Sequence, residues 1–529
     1  MHERSRTTVR RMTAWDCISR VLALVLLLAT TCIGGITIGP ALYTTDPQHD
    51  VVIHWRTANP DAGIIYYGAD WTLSLGILTE SVIDTSHFFT IDGLLPGTQY
   101  FYKILSDFDA DSGQFWTAPA ETQTTESWEI AIYGDSQGSN SMTRPSPHNQ
   151  VRFFRGVVNK MIEYYPRFAI HLGDMVWGYP YEDESYLQED YDVEFFEPAA
   201  ALNRNTIHVV VPGNHDIGPL ADSIHCTLYP GPNARSLCWS TWRKNVVNPG
   251  NGSFFSFDYG PIRFVVLNAD IYPCWCEDEP GEFEHGGVNQ LRTGVIAWLS
   301  AELDAALEAN PRYIIVLTHF PPFGCGYLQP GHIPWPGGYY QDPNLFQPLV
   351  SLARTHQVSA WFSGHHHYYM HIDRADDDIT YLISGRSAAG GVYPTYDSSY
   401  VVYTDTTHAY PGNYPLGRHH FLRILVNNDS LLVIATDTLG ISIDSVRIYP
   451  RIPPTNLSPV ISIAGDDCLL IWNDLPGATL YHVYRSADPL FNIEQGNLIG
   501  STTEPSFTDS GAVIFSGPQS FYKITCIRE

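Results

Sequence analysis

Seven side chains able to hold metal ions or move protons stand where short apolar runs end. Asp135 follows the run 130–133 (Ile-Ala-Ile-Tyr) and Gly134, and Asp174 follows 168–172 (Phe-Ala-Ile-His-Leu) and Gly173. Asn214 and His215 follow 209–212 (Val-Val-Val-Pro) and Gly213, with Asp216 next. His319 follows 314–318 (Ile-Ile-Val-Leu-Thr), and His365 and His367 follow 360–364 (Ala-Trp-Phe-Ser-Gly). A set of carboxylate, amide and imidazole donors suits two divalent cations about 3.5 to 4 Å apart, an arrangement that hydrolyses phosphate esters. Gly-Asp alone carries little information, because it is common turn chemistry. Five such blocks in order carry far more.

The positioning elements are legible around these blocks. Short β-rich apolar runs read as buried strands, and ligands in open α/β sheets gather beyond the carboxyl ends of strands. Residues 151–165 carry apolar side chains at helical spacing (Phe153, Phe154, Val157, Val158, Met161, Ile162), as do residues 290–307 (Leu291, Val295, Ile296, Leu299, Leu303, Leu307). Strand, helix, strand predicts a layered α/β core. Residues 254–260 and 263–268 read as a hairpin late in that core. Residues 179–197, acidic and aromatic, read as a solvated loop that follows Asp174 and can rim a cleft. In extended backbone His365 and His367 point to one side and His366 to the other, so His366 is set aside. Gly364 is read as permitting a tight turn.

Two β-rich stretches flank the core. Trp55 and Trp472 each end an apolar run, and the related segments 101–104 (Phe-Tyr-Lys-Ile) and 521–524 (Phe-Tyr-Lys-Ile) follow 46 and 49 residues later. Short strands between turn residues predict β-sandwiches. Pro453-Pro454 marks the boundary before the second.

A chain of 529 residues allows about three domains, and an apolar fraction of 44% allows sizeable cores. The formal charge of −27 opposes binding of a nucleic-acid duplex, which needs a basic face. Arg4, Arg6, Arg10 and Arg11 precede the apolar stretch 21–28, which has the form of a secretory signal cleaved within 29–39. The uncharged stretch 21–38 is just long enough to remain as an anchor instead. Either reading of residues 1–35 predicts a secreted, periplasmic or envelope-associated protein. Export permits disulfides. Cys226 with Cys238, and Cys468 with Cys526, are candidate pairs, leaving Cys274, Cys276 and Cys325.

The blocks D-x-Q, G-D-x-x-W, G-N-H-D, a lone His followed by Pro321-Pro322, and G-H-x-H resemble, in this order, the calcineurin-like metallophosphoesterases, and within them the purple acid phosphatases. The resemblance covers roughly residues 36–445. It implies an α/β metallophosphoesterase core, a layered β-sandwich with flanking helices, over 126–450. Residues 94–100 (Leu-Leu-Pro-Gly-Thr-Gln-Tyr) resemble the tyrosine corner of fibronectin type III domains, and residues 476–486 are similar to the same family. That implies fibronectin type III-like modules at 36–122 and 455–529, the second a candidate for cell-surface or glycan contact.

The family resemblance also implies roles. Asp174 would bridge two metal ions, Asp135 and His367 would hold the first, and Asn214, His319 and His365 the second. Nitrogen and oxygen donors together suit Zn, Mn or Fe rather than Ca. Metal-bound hydroxide would attack a phosphoester, Asn214 would orient a phosphate oxygen, and His215 would protonate the leaving oxygen. His332 is a weaker candidate for phosphate contact, and His371 reads as a surface or supporting residue. The chain departs from its relatives twice. Trp177 stands where purple acid phosphatases carry the tyrosine that binds ferric iron, and indole N–H is only a donor. Gln137 stands where many metallophosphoesterases carry a histidine, so it is at most a neutral oxygen ligand. The expected activity is acid phosphatase-like phosphomonoester hydrolysis. A phosphodiesterase or nucleotide hydrolase of the same fold, or a non-catalytic surface binding protein, stays open.

Overall fold

The computed structural model describes residues 35–106, 109–120, 127–139, 148–178, 183–218, 234–268, 288–323, 326–327, 343–374, 378–390, 394–395, 401–404, 408–410, 414–416, 418–427, 430–451, 460–464, 467–472, 478–487, 497–510 and 520–528. Two large sheets dominate. The first runs, edge to edge, β24 (Ser442–Ile448), β23 (Leu431–Asp437), β22 (His420–Val426), β8 (Trp128–Tyr133), β9 (Phe168–His171), β10 (Ile207–Val210), β1 (Ile36–Tyr43), β2 (Val51–Asp61) and β5 (Asp84–Ile91). The second runs β11 (Phe254–Tyr259), β12 (Ile262–Leu267), β13 (Tyr313–Thr318), β15 (Ala360–Ser363), β17 (Thr380–Ser384), β16 (Tyr369–Ile372) and β19 (Val401–Thr404). Two short ribbons pair β14 (Gly326–Tyr327) with β18 (Pro394–Thr395), and β20 (His408–Tyr410) with β21 (Tyr414–Leu416).

Strand alternation explains the layers. In β8 and β9, Ile130, Ile132, Phe168 and Ile170 face one way and meet Phe264, Val266, Ile315, Leu317 and Phe362 of the second sheet in a shared core. Their neighbours Ala131, Tyr133 and Ala169 face the other way, onto helix α1 (Val151–Ile162) through Phe154, Val157, Val158 and Met161. On the far side, Ile314, Val316 and Trp361 pack on α5 (Val288–Ala309) through Leu299 and Leu303, and on α6 (Pro343–Thr355) through Leu349 and Val350. The result is helix, sheet, sheet, helix. Strands β8, β9 and β10 are parallel, as are β12, β13, β15 and β17, so their carboxyl ends gather at one edge of each sheet. The hairpin expected over 254–268 is β11 with β12.

Two expectations need correction. Residues 183–203 are not a loop. Helix α2 (Glu184–Asp190) passes into a π-helix (Tyr191–Phe196) and then α3 (Glu197–Asn203). The apolar side chains at helical spacing there, Leu187, Tyr191 and Phe195, are buried. Acidity masked the periodicity because Asp190 and Glu194, two of the acidic residues, are buried as well.

The module expected at 36–122 is also not separate in its strand pairing. β3 (Ile64–Gly68), β4 (Gly76–Thr79), β6 (Gln99–Ser106) and β7 (Asp109–Trp116) form a four-stranded sheet, which shares a core with β1, β2 and β5 through Trp55, Ile65, Phe89, Tyr102 and Phe115. Yet β1 pairs in parallel with β10, Leu42 beside Ile207, so the sandwich's three-stranded layer continues the first large sheet. The Tyr100 hydroxyl accepts the Leu95 N–H at 2.9 Å, five residues upstream. At the other end, β25 (Val460–Ala464), β26 (Asp467–Ile471) and β29 (Ser506–Asp509) form one three-stranded sheet. β28 (Leu498–Thr502), β27 (Ala478–Ser486) and β30 (Phe521–Arg528) form another, and Leu470, Trp472, Tyr481 and Val483 pack between the two.

Cys238 and Cys468 are buried. Cys226, Cys274, Cys276, Cys325, the Cys526 side chain, His332 and residues 1–34 lie outside the described residues. Among the described residues, no helix is long and apolar enough to cross a membrane.

Candidate metal centre

Every expected metal or catalytic residue among the described residues comes to the strand ends. Asp135 lies just beyond β8, Asp174 beyond β9, and Asn214 opens the short helix α4 (Asn214–Ile217) beyond β10. His319 follows β13, and His365 and His367 follow β15. Asp135, Asp174 and His365 all take left-handed backbone, φ 55°, 57° and 64°. Such strain in ordinary residues persists only where the surroundings impose it, and it clusters at functional sites. The extended reading of 365–367 is therefore corrected. His365 turns toward Asn214 and His367 toward Asp135. His366 is buried and touches the Tyr368 hydroxyl. Gly364 serves by close approach, not by a special turn. A Cβ there would stand 2.7 Å from an Asp135 carboxylate oxygen and 2.9 Å from the Leu172 carbonyl.

In one half of the site, Asn214 Oδ1 is 3.1 Å from both His319 Nε2 and His365 Nδ1, and Asp174 Oδ2 is 3.2 Å from His319 Nε2. Ligand atoms of Asp174, His319 and His365 all lie within 4.8 Å of one another. His319 Nδ1 donates to the Leu172 carbonyl at 2.8 Å, so in the neutral ring Nε2 carries a lone pair. That lone pair faces a carboxylate oxygen and an amide oxygen. Acceptors pointed at one another need a cation between them. Without one, a proton takes its place. Burial alone would push the His319 imidazole down, but the Asp174 carboxylate overrides it and holds it up at about 10. Burial likewise opposes ionisation of Asp174, yet the imidazoles of His319 and His215 hold its carboxyl well below the usual range. Burial, then His319, pushes His365 down.

The other half is looser. His367 Nδ1 donates to the Gly390 carbonyl at 2.6 Å, which turns Nε2 inward, 3.4 Å from Asp135 Oδ1 and 3.4 Å from Gln137 Nε2. Asp135 Oδ1 and Gln137 Oε1 are buried, and among the described residues neither accepts a hydrogen bond. Burial raises the Asp135 carboxyl above its ordinary value, with the His367 contact opposing.

His215 sits beside Asp174. Its backbone N–H donates to Asp174 Oδ1 at 2.8 Å, and its Nε2 is 3.9 Å from Asp174 Oδ2. Its Nδ1 donates to the Trp177 carbonyl at 2.7 Å, and the Trp177 indole stacks on its ring with centroids 4.6 Å apart. Trp177 thus backs His215. Burial pushes the His215 imidazole down.

Several supporting residues were not read from the sequence. The Asp216 carboxylate accepts N–H bonds from Asp174 (2.8 Å), Met175 (2.9 Å) and Gly213 (2.9 Å), which ties the second and third blocks together. Burial and the nearby Asp174 charge raise its carboxyl to about 7. His171 accepts the Gly173 N–H on Nδ1 at 3.1 Å and donates from Nε2 to Ser136 at 2.8 Å. Asp216 lay in plain view in the G-N-H-D block. His171, inside an apolar run, gave no signal. His371 is buried rather than superficial, its Nδ1 3.0 Å from Asp444 Oδ2.

Residues 130–369, which span all these positions, match the family model for calcineurin-like phosphoesterases. The chain carries a calcineurin-like metallophosphoesterase domain. Purple acid phosphatase 23 of Arabidopsis thaliana is 24% identical over 312 residues, 54% of this chain and 58% of that protein. Tartrate-resistant acid phosphatase type 5 of Sus scrofa is 24% identical over 227 residues, 41% of this chain and 57% of that one. The chain thus spans less than two thirds of either relative's length. In fold, the chain is similar to the purple acid phosphatase PPD1 from yellow lupin (Lupinus luteus) seeds, with a TM-score of 0.56 at 14% identity over 78% of this chain and 74% of that one. It is similar as well to PhoD, with a TM-score of 0.55 at 12% identity over 83% and 90%. Metallophosphoesterase domains use divalent metals, and the donor set described above is of that kind.

Proposed function

We propose that this metallophosphoesterase domain is a dinuclear metal phosphoesterase that hydrolyses phosphomonoesters, in an exported protein. The observation that carries the reading is the inward convergence of lone pairs. His319 Nε2 faces Asn214 Oδ1 at 3.1 Å and Asp174 Oδ2 at 3.2 Å, while Asp135 Oδ1 and Gln137 Oε1 are buried and accept no hydrogen bond among the described residues. Buried acceptors left this way are costly unless a cation sits among them. The residues therefore fit two ions, with Asn214, His319 and His365 on one, Asp135, His367 and Gln137 on the other, and Asp174 shared. Two bound cations supply an acidified water as nucleophile and neutralise charge on the phosphoryl oxygens.

The chain's own groups do the rest. The Leu172 and Gly390 carbonyls fix the tautomers of His319 and His367 so that Nε2 faces inward. The Asn214 amide can donate to a phosphate oxygen. His215, in its imidazolium form, can give its Nε2 proton to the leaving oxygen while Nδ1 stays on the Trp177 carbonyl. Gln137 and Trp177 disfavour tyrosinate-bound ferric iron and favour Mn, Zn or ferrous iron. The fibronectin type III-like modules serve as spacers or as contacts to a cell surface or glycan.

The test is direct. The purified full chain, stripped of metal and then supplied with Mn, Zn or Fe, is assayed on nitrophenyl phosphate and on bis-nitrophenyl phosphate. Metal-dependent turnover of the monoester is expected, with slower turnover of the diester. Preference for the diester would move the reading to a phosphodiesterase. No turnover with any metal would mean a binding protein.

A further inference from the structure

Two carboxylates outside the metal centre are fully buried, Asp190 and Glu194. Burying a carboxylate is costly unless it is paired and hydrogen-bonded. They lie four residues apart where α2 passes into the π-helix, so they project on one side. Their partners are two consecutive backbone groups. Glu194 Oε2 accepts the Trp177 N–H at 2.7 Å, and Asp190 Oδ2 accepts the Gly178 N–H at 3.2 Å. His148 closes the set. Its Nδ1 donates to Glu194 Oε1 at 3.0 Å, and its Nε2 is 4.0 Å from Asp190 Oδ1. These three could themselves gather round a cation, since their ligand atoms lie within 4.8 Å of one another. One oxygen of each carboxylate, however, already accepts a backbone hydrogen from the peptide segment 177–178, and His148 Nδ1 already engages the other oxygen of Glu194.

That segment touches His215. The Trp177 carbonyl accepts the Nδ1 proton of His215, and the Trp177 indole lies against the same ring at an interplanar angle of 28°. Two buried carboxylates therefore grip one stretch of backbone, and that stretch grips one imidazole by an edge and a face. We propose that Glu194 and Asp190 are positioning residues for His215, acting through Trp177. They hold the ring in one tautomer with Nε2 turned toward Asp174. Glu194 itself lies in the π-helical turn Tyr191–Phe196, a kind of turn that recurs at functional sites.

The proposal deepens the phosphoesterase reading of the same site, so its first test does not need catalysis. In the full chain labelled with 15N-histidine, the His215 ring signals are identified by their loss in His215→Ala. The wild type is expected to show a single tautomer protonated at Nδ1. Glu194→Ala should mix the tautomers, and Glu194→Gln should restore the single one, because its amide oxygen still accepts the Trp177 N–H. His215 signals unchanged in Glu194→Ala would overturn the proposal, whether or not the protein hydrolyses anything. The kinetic test follows. Outer-sphere partners are worth about 10- to 100-fold. Glu194→Ala should lower kcat by that factor on an alkyl phosphate and by less on nitrophenyl phosphate, with KM within about twofold and metal content unchanged. A fall in metal content would mean that His148, Asp190 and Glu194 hold an ion, and would overturn the proposal. Should Glu194→Ala not fold, Trp177→Ala carries the test. It keeps the peptide but removes the ring, and should give a smaller loss with the same bias toward poor leaving groups. Equal losses on both esters in that variant would overturn it.

Discussion

The two large sheets contribute different chemistry to one site. The nine-stranded sheet delivers oxygen donors, Asp135, Gln137, Asp174 and Asn214. The seven-stranded sheet delivers nitrogen donors, His319, His365 and His367. Each set is also braced by the opposite sheet. His319 Nδ1 donates to the Leu172 carbonyl beyond β9, and the His365 N–H donates to Asp135 Oδ2 at 2.9 Å. Neither sheet alone can assemble the centre, so inter-sheet register becomes a determinant of metal binding. The comparison also separates the two halves. The Asn214 half is close-set at 3.1 to 3.2 Å with two imidazoles, whereas the Asp135 half has one imidazole, a neutral amide and contacts of 3.4 Å.

The largest effect is expected where the halves join. Asp174→Asn removes the charge that both share, so it should lower metal content in elemental analysis and cut hydrolysis by more than about 100-fold, beyond the usual range for an outer-sphere partner. Two ions bound at wild-type affinity in that variant would break the comparison, because Asp174 would not be common to both halves. Next in size is the contrast between the halves. The ion of the Asp135 half should be the one lost first on dialysis against a mild chelator, leaving about one per chain. Gln137→His adds an imidazole to the oxygen-rich side, and second-ion retention should rise by about tenfold or more. Equal loss of both ions in the wild type would remove the distinction. A spectroscopic test sharpens it further. With Trp177 against His215 instead of a tyrosine on the metal, protein reconstituted with iron and zinc should show no strong visible charge-transfer band. A purple product would mean another phenolate has entered the site.

How much of this could be read beforehand follows from where each signal lives. Strands that end in ligands announce themselves locally, because burial on both faces makes them apolar and the donor that follows is an abrupt change. That is why β8, β9, β10, β13 and β15 and their donors were legible, as were the long amphipathic helices. Pairing between distant segments leaves no local trace. Nothing in Leu42 or Tyr43 says that β1 will lie beside β10 and fuse the N-terminal sandwich to the core. The helix 183–203 was hidden because its buried acids, Asp190 and Glu194, look like solvent-facing charge until Trp177 and Gly178 arrive from elsewhere in the chain. Left-handed backbone at Asp135, Asp174 and His365 was equally invisible, since aspartate and histidine tolerate it without requiring it.

The smallest effect on chemistry, and the cleanest check on register, lies far from the ligands. His371 on β16 reaches across to Asp444 on β24, with Nδ1 3.0 Å from Oδ2, and the Tyr369 hydroxyl donates to the same oxygen at 2.8 Å. Asp373 approaches the other ring nitrogen at 3.2 Å. This cluster joins the next-to-last strand of the seven-stranded sheet to the edge strand of the nine-stranded one. Burial pushes the His371 imidazole down, but the two carboxylates outweigh it and raise it to about 9. The folded value therefore stands above the unfolded value of about 6.5, so the stabilisation is complete below pH 6.5 and is lost as pH rises through 9. Asp373 is largely exposed, which discounts the gain to roughly 1 to 2 kcal/mol. Denaturant midpoints for the wild type should fall between pH 6 and pH 9.5 by more than those of His371→Asn, which cannot titrate. At pH 6 that variant should be the less stable of the two while keeping its metal. If metal is lost together with the His371–Asp444 tie, the sheets depend on this contact for their register. If the two proteins show the same pH dependence, the tie adds nothing, and register rests on the shared apolar core between the sheets alone.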